Sequence, residues 1–162
     1  MYSMNDNMGV ARQAAEDIEA WLSTLPRTIS VVNVEDDPAY QKLDIDLLVT
    51  TDRGLTRVEI KGDRYHRTGN FFFETHSNKE KGTPGCFLYT EADWVFYYFV
   101  VPRTLYLLPM PATRDWFVSN IDRFRERQTT TKVGSETYTT VGRLVPIAVV
   151  WSEVGGVREF CL

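Results

Sequence analysis

Apolar residues recur at helical spacing from Val10 to Leu25. Val10, Ala11, Ala14, Ala15, Ile18, Trp21, Leu22 and Leu25 fall on one face, and Pro26 closes the segment. Ile29 to Val34 is β-branched and predicts a strand, broken by Asp36-Asp37-Pro38. Leu43 to Thr51 predicts a second strand. The tight turn Asp52-Arg53-Gly54 then returns the chain as Thr56 to Lys61, making a hairpin. Phe71 to Thr75 predicts another strand, and Thr90 to Asp93 a helix start in which Thr90 caps the amide three residues on. Trp94 to Val101 and Thr104 to Leu108 are continuous apolar runs, as expected of interior strands covered on both faces. Trp116, Phe117, Ile121 and Phe124 predict a helix from Pro111 to about Arg127, and Leu144 to Trp151 a last strand or buried segment. The stretches 78–85 and 128–134 are polar and turn-rich and predict surface loops. This order predicts an α/β domain, a mixed α+β sheet flanked by helices.

Composition narrows the class. A chain of 162 residues and 18.7 kDa suits one domain over 1–162, with core enough to need no disulfide or metal staple. The longest apolar run, Trp94 to Val101, is too short to span a bilayer, so no membrane partner is expected. Residues 1–7 carry neither a basic nor an apolar leader region, and Cys86 and Cys161 suit free thiols; both point to a cytoplasmic chain. The net charge of −4 argues mildly against a protein that coats nucleic acid by bulk attraction. It leaves room for an acidic site whose metal ions reverse the local field.

Phosphate loops, dinucleotide-binding fingerprints and serine-nucleophile elbows are absent from the sequence, and His66 and His76 lie among polar neighbours. One constellation carries chemistry. On a strand, Glu59 and Lys61 point to one face while Val58 and Ile60 point to the other. Burying a carboxylate beside an ammonium in a hydrophobic sheet costs roughly several kcal/mol unless something compensates. Asp46 begins the preceding strand, and the hairpin folds it back beside Glu59. Two carboxylates and a lysine at one point suit a hard divalent cation, since Mg²⁺ takes oxygen ligands and retains waters. The competing reading is an exposed Glu59–Lys61 pair on an edge strand, with Asp46 capping a turn.

Asp46 followed by Glu59-Ile60-Lys61, after an acid-bearing N-terminal helix, resembles the core signature of the PD-(D/E)xK phosphodiesterase superfamily, which includes restriction endonucleases and Holliday junction resolvases. The resemblance spans roughly residues 9 to 127. It implies a restriction-endonuclease-like core and a DNA nuclease dependent on Mg²⁺, with Mn²⁺ as a substitute. In that analogy Asp46 and Glu59 bind the metal, Ile60 offers its carbonyl, Lys61 handles the attacking water and Glu16 assists from the helix. Asp44 competes with Asp46, and Asp17 and Glu19 compete with Glu16. The position before Asp46 is Ile45 rather than proline. Duplex cutting would favour a homodimer. A second reading is a catalytically silent nuclease fold acting as a nucleic-acid or protein binding module, or, as the acidic pI suggests, a partner-dependent subunit of a larger nuclease machine.

Arg57, Arg64, Arg67 and Lys79 cluster around the motif and suit phosphate contacts, interleaved with acids that would equally make a solvated mixed-charge surface. Arg123, Arg125, Arg127 and Lys132 form a second basic stretch, and Glu74 would support a second metal or lie on a solvated strand face. The aromatic run at 94–99 reads as core.

Overall fold

The computed structural model describes the backbone of residues 2–162 and the side chains from residue 7 onward. Its elements are β1 (Tyr2–Ser3), α1 (Met4–Thr24), β2 (Thr28–Asn33), α2 (Pro38–Gln41), β3 (Leu47–Thr51), β4 (Gly54–Asp63), β5 (Asn70–Asn78), β6 (Thr83–Pro84), α3 (Cys86–Tyr89), β7 (Trp94–Phe99), β8 (Thr104–Pro109), α4 (Ala112–Ser119), β9 (Arg125–Val133), β10 (Glu136–Pro146), α5 (Ile147–Glu153) and β11 (Arg158–Cys161). The chain is a mixed α/β fold built on two sheets. One has the order β11-β8-β7-β4-β3-β2, antiparallel except where β4 and β7 run parallel. The other has the order β1-β9-β10-β5-β6, with β1 parallel to β9.

The helical face read from the sequence is the one that α1 buries. Ala14, Ile18 and Leu22 pack on Leu47, Val49, Val58, Phe96, Tyr98 and Leu105 of the six-stranded sheet. Ile18 and Leu22 each contribute roughly 1.5–3 kcal/mol by this burial. The opposite face of that sheet presents Val95, Tyr97, Phe99 and Leu108 to Phe71, Phe73 and Val145 of the second sheet, with Phe117 of α4 and Val150 of α5. Residues of both registers on β7 are therefore covered, which explains its unbroken apolar run. Phe73 stacks on Phe87 with ring centroids 3.9 Å apart and meets Phe117 edge-on at 5.2 Å.

Four expectations are corrected. The helix expected from Pro111 to Arg127 stops at Ser119. A 3₁₀ turn, Ile121–Arg123, follows, and then β9. Asn120 Nδ2 donates to the Trp116 carbonyl at 2.8 Å and ends the helix with a local side-chain bond. Phe124 nevertheless packs on Trp116 and Phe117, so the apolar spacing survives through a turn. The loop expected over 128–134 is mostly strand, because Thr129-Thr130-Thr131 is a β-branched run that pairs with β10. The segment Leu144 to Trp151 divides at Pro146, where β10 ends and α5 begins. The helix start expected at Thr90 is likewise absent. Thr90 follows α3, and its hydroxyl accepts from the Ala92 amide two residues on.

Among the described residues, no helix is long and apolar enough to cross a membrane.

Candidate active site between the two sheets

Ile45 organises the acidic end of the site. It is buried with Val34 and Ala92, so Asp44 and Asp46 on either side are pinned at the start of β3. Asp46 donates its amide to the Val58 carbonyl at 2.9 Å, and its Oδ2 accepts from the Ile60 amide at 2.8 Å. The hairpin register Leu47↔Val58 brings Asp46 to Glu59, and their carboxyls share a hydrogen bond. Glu59 is only 8% exposed. Burial, then the Asp46 and Asp44 charges, hold its carboxyl well above the usual range. Burial raises the Asp46 carboxyl as well.

Asp44 adopts a left-handed backbone with φ of 55°, uncommon for a residue with a side chain. Its carbonyl accepts from Thr90 Oγ1 at 2.7 Å, which holds this conformation in place. One carboxylate oxygen, Oδ2, is buried without a hydrogen-bond partner. Burial first, then Asp46 and Glu74, push its carboxyl up to about 7. One ligand atom each from Asp44, Glu59 and Cys86 lies within 4.8 Å of the others.

Lys61 lies on the same face of β4 as Glu59 and forms an ion pair with Glu74 on β5. Burial works against the lysine charge, but Glu74 outweighs it, and the ammonium is held above its ordinary value. Two glycines permit this convergence. A Cβ on Gly85 would lie 2.3 Å from the Glu74 carbonyl oxygen, so only glycine lets α3 bring Cys86 against Glu74. A Cβ on Gly62 would lie 3.0 Å from both Ala14 Cβ and the Val10 carbonyl, so β4 and the first turns of α1 approach closely.

Glu59, Lys61 and Glu74 open onto a cavity of about 510 Å³ between α1, β4, β5 and the β9–β10 ribbon. Beside them a void of about 10 Å³, bounded also by Cys86 and Thr90, is on the scale of one water.

The structure thus joins Asp46, Glu59, Ile60 and Lys61. It also brings in Asp44 and Glu74, which the sequence offered as alternatives, and adds Cys86. Glu16 is not brought in. It faces solvent on α1, away from Ala14 and Ile18, and bonds to Arg12 at 2.8 Å. The alternative helix acids are engaged elsewhere: Asp17 with Tyr98 and Arg103, Glu19 with Asn33. Arg57 is tied to Asp93 at 2.9 Å. Arg64 bonds to Asn7 at the cavity edge, whereas Arg67 and Lys79 are exposed. Nothing in local spacing marked Cys86 or paired Glu74 with Lys61, because both come from elements remote in sequence.

No family model, curated protein or solved structure matches the chain.

Proposed function

We propose that this protein is a Mg²⁺-dependent nuclease with a restriction-endonuclease-like core that hydrolyses DNA phosphodiester bonds. The observation that carries the reading is the cross-hairpin meeting of Asp46 and Glu59, with Lys61 on the same face at the mouth of a cavity. The residues fit a hard cation. Asp44 has a buried oxygen without a partner beside the Glu59 carboxyl, and carboxylate oxygens are the donors Mg²⁺ prefers. Asp44, Asp46 and Glu59 would hold the ion, with the Ile60 carbonyl as a backbone donor. Held there, Mg²⁺, or Mn²⁺ in its place, would supply polarisation of the phosphodiester and a bound water of lowered pKa.

The chain's own groups do the rest. Asp46 fixes the end of β4 through the Ile60 amide. Lys61, kept charged by Glu74, orients the attacking water and offsets charge developing on the phosphate. Arg67 and Lys79 are exposed and Arg64 lines the cavity, which supports a role for all three in DNA-backbone contacts, whereas Arg57 is engaged by Asp93. Cutting both strands of a duplex would call for a homodimer or a partner subunit with a second site.

A second reading, a silent or partner-dependent nuclease-fold subunit, is favoured by one feature: Glu74 neutralises Lys61. A cleavage assay separates the two. Wild type is incubated with Mg²⁺ or Mn²⁺ on plasmid, linear, branched and single-stranded DNA, beside folded Glu59→Ala and Lys61→Ala. Metal-dependent cutting lost in both variants is the expected result. No cutting, together with no divalent-metal binding by calorimetry, would leave only the second reading.

A further inference from the structure

The depth of the reactive groups limits what can reach them. Glu59 is 8% exposed, and it lines the cavity of about 510 Å³. That volume lies within the range of small-ligand pockets, roughly 300–1,000 Å³. A nucleotide-sized group enters such a space. A paired strand brings its complement with it and does not fit.

The walls suit a single strand. Thr129 and Thr140 line the cavity half-buried and Thr131 lines it buried, so the β9–β10 ribbon presents hydroxyls that can meet phosphate and sugar without reading base sequence. Tyr138 and Phe72 add flat half-buried rings on which bases can stack.

The charges are balanced inside a chain of net charge −4. Acidic Glu59, Asp63 and Glu74 face basic Lys61, Arg64 and Arg127 across the lining. Two of those acids are already satisfied. Asp63 accepts from Tyr97 Oη and from the Tyr65 amide, and Glu74 pairs with Lys61. Arg127 is exposed on β9 and has no ion-pair partner among the described residues, so its charge is available to a phosphate.

The roof of the cavity is set by the fold. Asn7, Val10 and Ala11 of α1 cover it, and Gly62 keeps α1 pressed onto β4. Widening the site to admit a duplex would mean lifting α1 away from its buried face.

From this we infer that the cavity receives a single strand or a frayed strand end, and that the substrate class of the site is single-stranded nucleic acid rather than closed duplex. The inference rests on the nuclease reading for its chemistry, but it can be tested by binding alone.

The test is fluorescence anisotropy in chelator, at a fixed ~100 mM salt because phosphate contacts are salt-dependent. The probes are a labelled short oligothymidylate, an oligouridylate and a blunt hairpin duplex. Oligothymidylate is expected to bind about tenfold or more tighter than the duplex. The oligouridylate arm reports whether the site separates DNA from RNA. Arg127→Glu, at an exposed position, and Thr129→Trp, which fills the cavity, are each expected to weaken oligothymidylate binding about tenfold with melting temperature retained. Equal or tighter duplex binding, no binding of either single strand, or single-strand binding untouched by both folded variants would overturn the inference. Plasmid cutting without single-strand preference would keep the nuclease and remove this assignment. Specific single-strand binding with no cleavage of any substrate would do the reverse.

Discussion

The Oδ2 atom of Asp46 accepts from the backbone amide of Ile60 at 2.8 Å, across the β3–β4 hairpin. Beyond Asp46 the β3 ladder stops, and a side chain takes over the pairing that the strand no longer supplies. The same carboxyl meets Glu59, so one residue both closes the sheet and completes the acidic cluster.

That double role separates two substitutions. Asp46→Asn keeps an oxygen for the Ile60 amide and removes a charge from a buried acidic group. It is expected to unfold within about 1 kcal/mol of wild type while losing metal-dependent cleavage. Asp46→Ala leaves the Ile60 amide unmet and is expected to cost about 1–3 kcal/mol. Urea denaturation of both variants beside wild type measures the difference. Equal stabilities would show that the bond to Ile60 contributes nothing.

Lys61 and Glu74 form a pair whose carboxylate side chain is only 14% exposed. Removing one partner strands the other. Lys61→Met and Glu74→Gln are each expected to destabilise, the former by about 3–5 kcal/mol, and the double variant to recover most of that loss. A double-mutant cycle by denaturant unfolding reads the coupling. Additive losses would mean that the two groups do not interact.

Asp93 accepts from the Arg57 guanidinium and from the Arg57 amide, at 2.9 and 2.8 Å. The guanidinium bond holds its carboxyl below the usual range. A carboxyl depressed on folding contributes stability above its unfolded pKa of about 4, and loses that contribution as pH falls through the lower folded value. Asp93→Asn is therefore expected to lower stability by about 1 kcal/mol near neutrality, after allowance for solvent screening. The gap from wild type should narrow in melting curves below about pH 4. A gap that stayed constant down to strong acid would exclude the charge as its source.

Gly62→Ala places a methyl 3.0 Å from the Val10 carbonyl oxygen and from Ala14 Cβ. The backbone oxygen cannot yield without moving α1. The variant is expected to lose about 1–3 kcal/mol and to change the size of the cavity. Thermal melting reads the first effect. Protection of α1 amides in hydrogen exchange reads the second, and protection equal to wild type would show that α1 has not moved.

How much of this was legible beforehand follows from where the signal lay. The face of α1, the hairpin around Asp52-Arg53-Gly54 and the two-sided burial of β7 each reflect periodicity within one element, and the structure reproduces them. The helix expected to Arg127 failed because apolar residues at helical spacing bury equally well through a turn. The residues 128–134, expected as a loop, are mostly strand because polar threonines pair well once β10 lies beside them. Within the site, Glu59 and Lys61 on one face followed from alternation, and Asp46 beside Glu59 from the hairpin. The family resemblance points to Glu16 by its place along α1, yet the burial of Ala14 and Ile18 turns it outward.

The sequence by itself determined the elements that carry Asp46, Glu59 and Lys61, because strand alternation and a tight turn act over a few residues. Only the tertiary structure decided that Glu74 neutralises Lys61, that Asp44 presents a buried oxygen without a partner, and that Cys86 stands within the cluster. Those groups come from β5, the loop before β3, and α3. Packing of the second sheet against the first places them together, through side-chain contacts between segments that no local pattern relates.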